Sequence, residues 1–389
     1  MGRRRGLPLA PAGPPPMATL TSTSHSDGYN GQVPVALSRL VAVLLAGAAL
    51  AGALAAASVS GSNASATSAR TYARSFDSGA VPTLSNARLA RAVPTLRGGP
   101  TTTSTGEIVD VRVSDALPAT ATPEAWAEFI AGLVHGPEIS RLTTYVVTFD
   151  EMQDVCGRQA LGCYSGNQMI APGEVVSDGT TPEEIIRHEY GHHVAFNRVN
   201  DPWVAIDWGP KHWASSANVC ARVERGEAFP GNESSNYPRN PGEAWAEVYR
   251  LMDERKDGIT TATWQIIAPS FYPTEEALVA AERDVVEPWT TPRTTTYTRV
   301  FTKTSKKVSW IPIATPLDGE LRIAATLPGS GEYEVALVTP DRKKVVQRAQ
   351  WVSQRVKRLA TTVCGQRSFL VRVTRNGPPG RARVAVAQP

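Results

Sequence analysis

One stretch, Thr181 to Arg198, restricts the fold more than any other part of the chain. Thr181 can cap a helix, Pro182 suits its first turn, and Glu184 can reach back to close a capping box. The run I-I-R-H-E-Y-G-H-H-V-A-F-N-R then continues the helix. Residues four apart share a helix face, so His188 and His192 present two imidazoles to one cation. Glu189 adjoins the first of them. Histidine is otherwise scarce: the chain has six, and three fall between positions 188 and 193.

A bound cation such as zinc makes water acidic near neutral pH, and a carboxylate beside it can take the proton. The spacing thus places two ligands, His188 and His192, and a base, Glu189, in one helical turn. His193 points elsewhere on the helix and reads as a supporting or surface residue. Catalytic zinc usually takes three protein ligands. A third histidine six residues after the second, as in metzincins, is excluded because Arg198 stands there and Ala195 replaces the expected glycine. His212 is the only histidine after the cluster. Glu243 and Glu247 are the carboxylate candidates: they lie four apart in N-P-G-E-A-W-A-E-V-Y-R, a second helix start. One can bind metal while the other orients a ligand histidine. Alternatively, Glu243 closes a capping box with Asn240 and Glu247 is solvated.

The segments H-E-Y-G-H-H-V-A and N-Y-P-R-N-P-G-E-A-W-A-E-V-Y-R-L-M resemble the catalytic core of gluzincin metallopeptidases. They are particularly similar to the family of the anthrax lethal factor peptidase domain. The resemblance implies an α+β zincin-like catalytic domain holding one catalytic Zn2+. It makes Glu243 the third ligand, Glu247 the carboxylate supporting a ligand, and Tyr237 the donor to the tetrahedral oxyanion. The spacing from Tyr237 to Glu243 is one residue shorter than in that family. The resemblance spans Thr181 to Met252 and implies nothing about the flanks or the substrate.

Residues 1–57 read as a leader. The uncharged run 40–59, preceded by Arg39, is either a signal peptide core or a membrane anchor. Residues 58–105, rich in Ser, Thr, Ala and Arg, read as a linker or pro-segment; without cysteine, this segment cannot supply a thiol that plugs the metal. Residues 106–290 are the expected metallopeptidase domain. A helix is expected from Pro123, with Trp126, Phe129, Ile130, Leu133 and Val134 facing a core. Thr143 to Phe149 reads as a strand, and Tyr164 to Ala171 as extended. Residues 291–389 read as a small all-β sandwich. Alternating runs over 321–327, 333–339, 369–374 and 381–387 are separated by turns, among them Gly329-Ser330-Gly331.

Charge divides at the same boundary. Residues 123–290 carry 26 acidic and 12 basic side chains, net −14; residues 291–389 carry 5 and 18, net +13. Two docked domains of opposite sign are expected. The four cysteines favour two disulfides. Cys156 and Cys163 can close a local loop, which leaves Cys220 and Cys364 to tie the domains.

The expectation is a zinc endopeptidase outside the cytoplasm, secreted or anchored to the outer side of the membrane. Its substrate would be a peptide or protein, and an anionic cell-surface partner suits the basic domain. No nucleic acid is expected, and membrane contact only if the leader is uncleaved. The alternatives are a catalytically silent zincin-like binding protein and a zinc hydrolase of non-peptide amides. Intact His188, Glu189 and His192 favour the enzyme.

Overall fold

The computed structural model describes residues 86–389, apart from 262, 265, 266 and 330–332. The leader, its apolar run 40–59, most of the 58–105 segment and part of the 329–331 turn lie outside the described residues. Where it is described, the 58–105 segment departs from the expected linker. It forms α1 (Asn86–Ala92) and β1 (Leu96–Thr102). β1 pairs antiparallel with β2 (Ile108–Ser114), from Leu96 opposite Ser114 to Thr102 opposite Ile108. Its sequence, L-R-G-G-P-T-T, is poor in strand formers, and long-range pairing overrides that local signal.

α2 (Pro123–Gly132) starts at Thr122, whose hydroxyl accepts from Ala125 N–H at 3.2 Å. Ile130, Leu133 and Val134 are buried, while Trp126 and Phe129 pack half-buried against the same core. β3 (Thr143–Val147) ends before Phe149, which opens α3 (Phe149–Cys156) instead of extending the strand. The cause is a reciprocal capping box between Thr148 and Glu151. β4 (Cys163–Ser165) and β5 (Gln168–Pro172) complete a sheet of order β1-β2-β3-β5-β4. β2, β3 and β5 run parallel; β1 and β4 are antiparallel edges.

α4 (Pro182–Phe196) lies against β5 and β4 on one side. Its capping box forms as the sequence suggests: Thr181 Oγ1 accepts from Glu184 N–H at 3.2 Å, and Glu184 Oε2 accepts from Thr181 N–H at 2.8 Å. The short helices α5 (Ala205–Trp208), α6 (Lys211–Ser216) and α7 (Val219–Glu224) follow, then α8 (Pro241–Lys256) and α9 (Glu275–Val286). Val111, Val146, Ile186, Tyr190, Trp245, Tyr249 and Val285 contribute to one buried core between sheet and helices. This part is mixed α and β.

Strands take over at Arg293. β6 (Arg293–Phe301), β7 (Val308–Ala314), β8 (Gly319–Thr326), β9 (Tyr333–Val338), β10 (Val345–Arg348), β11 (Gln350–Ser353), β12 (Val356–Val363), β13 (Ser368–Arg375) and β14 (Gly380–Gln388) form two antiparallel sheets. Their orders are β10-β9-β13-β7 and β11-β12-β8-β14-β6. Leu321, Ile323, Val384 and Val386 from one sheet meet Ile311, Val335, Leu337 and Val371 from the other in a shared core. Each such buried aliphatic contributes about 1.5–3 kcal/mol. The result is a β-sandwich with more strands than the four alternating runs indicate.

Cys220 on α7 is bonded to Cys364 just after β12, with Cα atoms 5.2 Å apart. Around this bridge, Lys211 Nζ donates to the carbonyls of Asp201 (2.5 Å) and Asp318 (3.0 Å). The ammonium also lies 4.6 Å from the Trp289 ring centroid. Asp318 N–H donates to Ser215 Oγ at 2.9 Å, and Arg367 Nη2 donates to Ser215 O at 3.0 Å. These contacts are not those expected of opposite net charges. The Lys211 ammonium comes from the net-acidic half and meets a neutral carbonyl of the net-basic half. Burial lowers that ammonium to about 8, against the raising pull of Asp201, Asp318 and Asp284.

Candidate metal centre

The centre is built where α4 crosses α8. Gly191, in the middle of α4, lets the second helix come close: a Cβ there would lie 2.7 Å from Ala246 Cα. Trp245 Nε1 fixes the crossing by donating to Gly191 O at 2.7 Å. One turn of α4 therefore faces the first turns of α8, and His188 and His192 meet Glu243 and Glu247 across 50 or more residues of sequence.

His188 Nε2 lies 3.3 Å from Glu243 Oε2, and His192 Nε2 lies 3.4 Å from Glu243 Oε1. The other nitrogen of His188, Nδ1, is 3.2 Å from Glu247 Oε2. A carboxylate only accepts, so both ring nitrogens of His188 face acceptors, Nδ1 toward Glu247 and Nε2 toward Glu243; a cation held between Nε2 and Glu243 would take the place of the second proton. Tyr237 Oη donates to Glu243 Oε2 at 2.6 Å. Burial acts to raise the Glu243 carboxyl, but His192 and His188 outweigh it and hold it well below the usual carboxylate range. Glu247 is likewise held low against its burial, by Arg250 and His188.

These donors fit a metal ion. Four ligands around zinc at about 2.0–2.1 Å define a tetrahedron with edges of about 3.3 Å. The two His–Glu separations match that edge. Donor atoms of His188, His192 and Glu243 all lie within 4.8 Å of one another, and all three residues are buried. His192 Nε2 is buried and makes no hydrogen bond among the described residues, a costly state that a cation relieves. The nitrogen and oxygen donor set suits zinc.

Glu189 is buried beside these ligands and shares the i, i+3 face with His192. Its carboxylate packs against Gly162: a Cβ there would lie 2.7 Å from Glu189 Oε1. Gly162 sits between Cys156 and Cys163, which are bonded to each other. What exposure the group keeps is at Tyr237 (6 %) and His192 (3 %).

His212 is not among these donors. Its backbone N–H donates to buried Asp284 at 3.0 Å, and its side chain lines a cavity beside Ser215, Arg283 and Arg367. Nor does Glu243 close a capping box: Asn240 caps α8 through Gly242 N–H, and Glu243 turns toward the histidines. His193 is buried and not at the surface. Its Nε2–H donates to Glu138 O at 2.8 Å, and its Nδ1 accepts from Tyr164 Oη at 3.1 Å. Burial pushes its pKa down to about 4, so it stays neutral and anchors the back of α4.

Sequence reasoning passes over Gly162, Gly191 and Arg250. Arg250 lies three residues after Glu247, and that helical spacing was the available signal. Nothing local marks the two glycines, because each answers to a distant partner.

No family model matches the sequence, and no curated protein matches it. Among matching solved structures is the pre-peptidase C-terminal domain of a Bacillus anthracis collagenase, 12% identical over 24% of this chain and 85% of that one, with a TM-score of 0.19. Another is PliG of Aeromonas hydrophila, a periplasmic inhibitor of g-type lysozyme, 8% identical over 25% and 85%, TM-score 0.18. A third is the IMPa metallopeptidase in complex with T-antigen, 10% identical over 54% of this chain and 28% of that one, TM-score 0.18. Likenesses this weak carry no argument about fold or activity.

Proposed function

We propose that this chain is a zinc-dependent endopeptidase with a gluzincin-like catalytic half, exported and either released or held at the outer face of a membrane. The reading is carried by one observation: two imidazole nitrogens each lie 3.3–3.4 Å from an oxygen of one buried carboxylate, Glu243, with a second carboxylate, Glu189, in the same helical turn as the histidines. Two disulfides support an oxidising compartment. Among the described residues no helix is long and apolar enough to cross a membrane.

His188, His192 and Glu243 would hold the ion. When bound, zinc supplies Lewis acidity, polarising a carbonyl and making water acidic near neutral pH. Glu189 takes the proton from the attacking water and returns it to the leaving amine. Glu247 keeps His188 in the tautomer that presents Nε2. The Tyr237 phenol, already within hydrogen-bond reach of the ligand carboxylate, turns its O–H to the carbonyl oxygen as negative charge develops there. The substrate is a peptide or protein, and the basic β-half recruits an anionic surface.

Metal content and cleavage of a general peptide library, measured on the full chain and on Glu189→Gln, test this. Wild type should hold one zinc and cleave; Glu189→Gln should keep the zinc and lose about 10²–10⁴-fold in rate. Unchanged turnover in the variant would remove Glu189 as the base. A zinc-loaded wild type that cleaves only non-peptide amides would correct the substrate class.

A further inference from the structure

We propose that Arg250 is a positioning residue of the metal centre, fixing Glu247 and, through it, the ring of His188. The inference rests on the metal reading above. Arg250 is fully buried on α8, one turn beyond Glu247. Its Nη2 donates to Glu247 Oε1 at 2.6 Å and its Nε to Glu247 Oε2 at 3.1 Å, so both carboxylate oxygens are gripped at once. The same Oε2 accepts from His188 Nδ1–H at 3.2 Å. A relay of fixed geometry thus runs from guanidinium to carboxylate to imidazole, and it ends at a nitrogen facing Glu243.

The far side of the guanidinium is fixed as well. Nη1 donates to Glu254 Oε1 at 2.6 Å and lies 3.8 Å from Oε1 of Glu184, the residue that closes the capping box of α4. Nη2 also donates to the carbonyl of Thr263. One cation therefore ties the start of α4, the middle of α8 and the loop after α8. Exposed ion pairs at this helical spacing contribute little and leave both side chains free to turn. A buried set carries a large desolvation cost, and it is weak evidence for stability alone. Holding Glu247 in one plane is what the planar fork adds. A lysine has a single charged nitrogen on a flexible stem and cannot grip two oxygens in that way.

The test is zinc affinity of the full chain, by competition with a chromophoric chelator, alongside thermal unfolding in excess chelator. Arg250→Lys should fold and bind zinc about 10–100-fold more weakly, the usual loss when an outer partner of a ligand is disturbed. Arg250→Met should lose at least as much in the wild-type background. In a Glu247→Gln background it should add less than about threefold, because the relay is already broken. Equal losses in both backgrounds, or a lower unfolding temperature with zinc affinity intact, would overturn the proposal and leave Arg250 a structural residue. If Arg250→Met does not fold, Arg250→Lys decides alone. A wild-type chain that binds no zinc would defeat the metal reading, and this inference with it; zinc-binding wild type with indifferent Arg250 variants would defeat this inference only.

Discussion

Gly191→Ala sets local preference against packing. Alanine is the better helix former by about 1 kcal/mol, so propensity alone makes the change stabilising. The structure predicts the reverse. The new methyl would lie 2.7 Å from Ala246 Cα, and 3.1 Å from both Ala246 O and Tyr249 Cβ. Carbon atoms in ordinary contact stand about 3.5–4.0 Å apart, so α4 and α8 must separate by roughly 1 Å. Overpacking of this kind costs about 1–3 kcal/mol. After the propensity gain, a net loss of up to about 2 kcal/mol remains. The larger effect falls on the metal, because the ligands come from both helices. Opening the 3.3 and 3.4 Å His–Glu separations by that amount carries them beyond a tetrahedral edge. Zinc affinity should fall at least tenfold, measured by chelator competition, and the Trp245 bond to Gly191 O should weaken with it. A Gly191→Ala chain that melts higher than wild type and binds zinc equally well would refute the claim that this close approach builds the site.

The remaining predictions concern single groups. Glu243→Ala should strip zinc or weaken it greatly while His212→Ala leaves it bound, as metal analysis of the two purified variants would show; the opposite pattern would make His212 the ligand. Tyr237→Phe should lower kcat more than it raises KM, and a change confined to KM would make Tyr237 a binding residue. Lys211 links stability to pH: its pKa falls from 10.5 to about 8 on folding, so above pH 8 the unfolded chain binds the extra proton and stability rises until about pH 10.5. The gain is up to about 3 kcal/mol, and it should be absent from the pH dependence of denaturant midpoints in Lys211→Met.

The parts of this molecule that were legible in the sequence are those written locally. Thr181, Pro182 and Glu184 announce the start of α4, and four-residue spacing puts His188 and His192 on one face. Alternation marks β8, β9, β13 and β14. Spacing alone could not settle between Glu243 and His212, because the choice depends on where α8 crosses α4; the face shared by Glu243 and Glu247, together with the resemblance to gluzincins, favours Glu243. That crossing is decided by Gly191 and Trp245, whose roles exist only once both helices are in place. β1 and β6 were missed for a related reason. β1 carries two glycines and a proline, and β6, though rich in strand-forming Thr, Tyr, Val and Phe, lies at a sheet edge and buries only Phe301 fully, so neither shows a clear apolar alternation. The sign of each half's net charge was read correctly from composition, yet it did not indicate the joint, where a lysine meets carbonyls.

The wall against Glu189 has a further consequence. Gly162 is held there by a loop that Cys156 and Cys163 close covalently. The bond between those two sulfurs therefore bears on how firmly the Glu189 carboxylate is framed. A chain whose thiols are still reduced has its metal ligands on α4 and α8 but lacks the clasp on that wall.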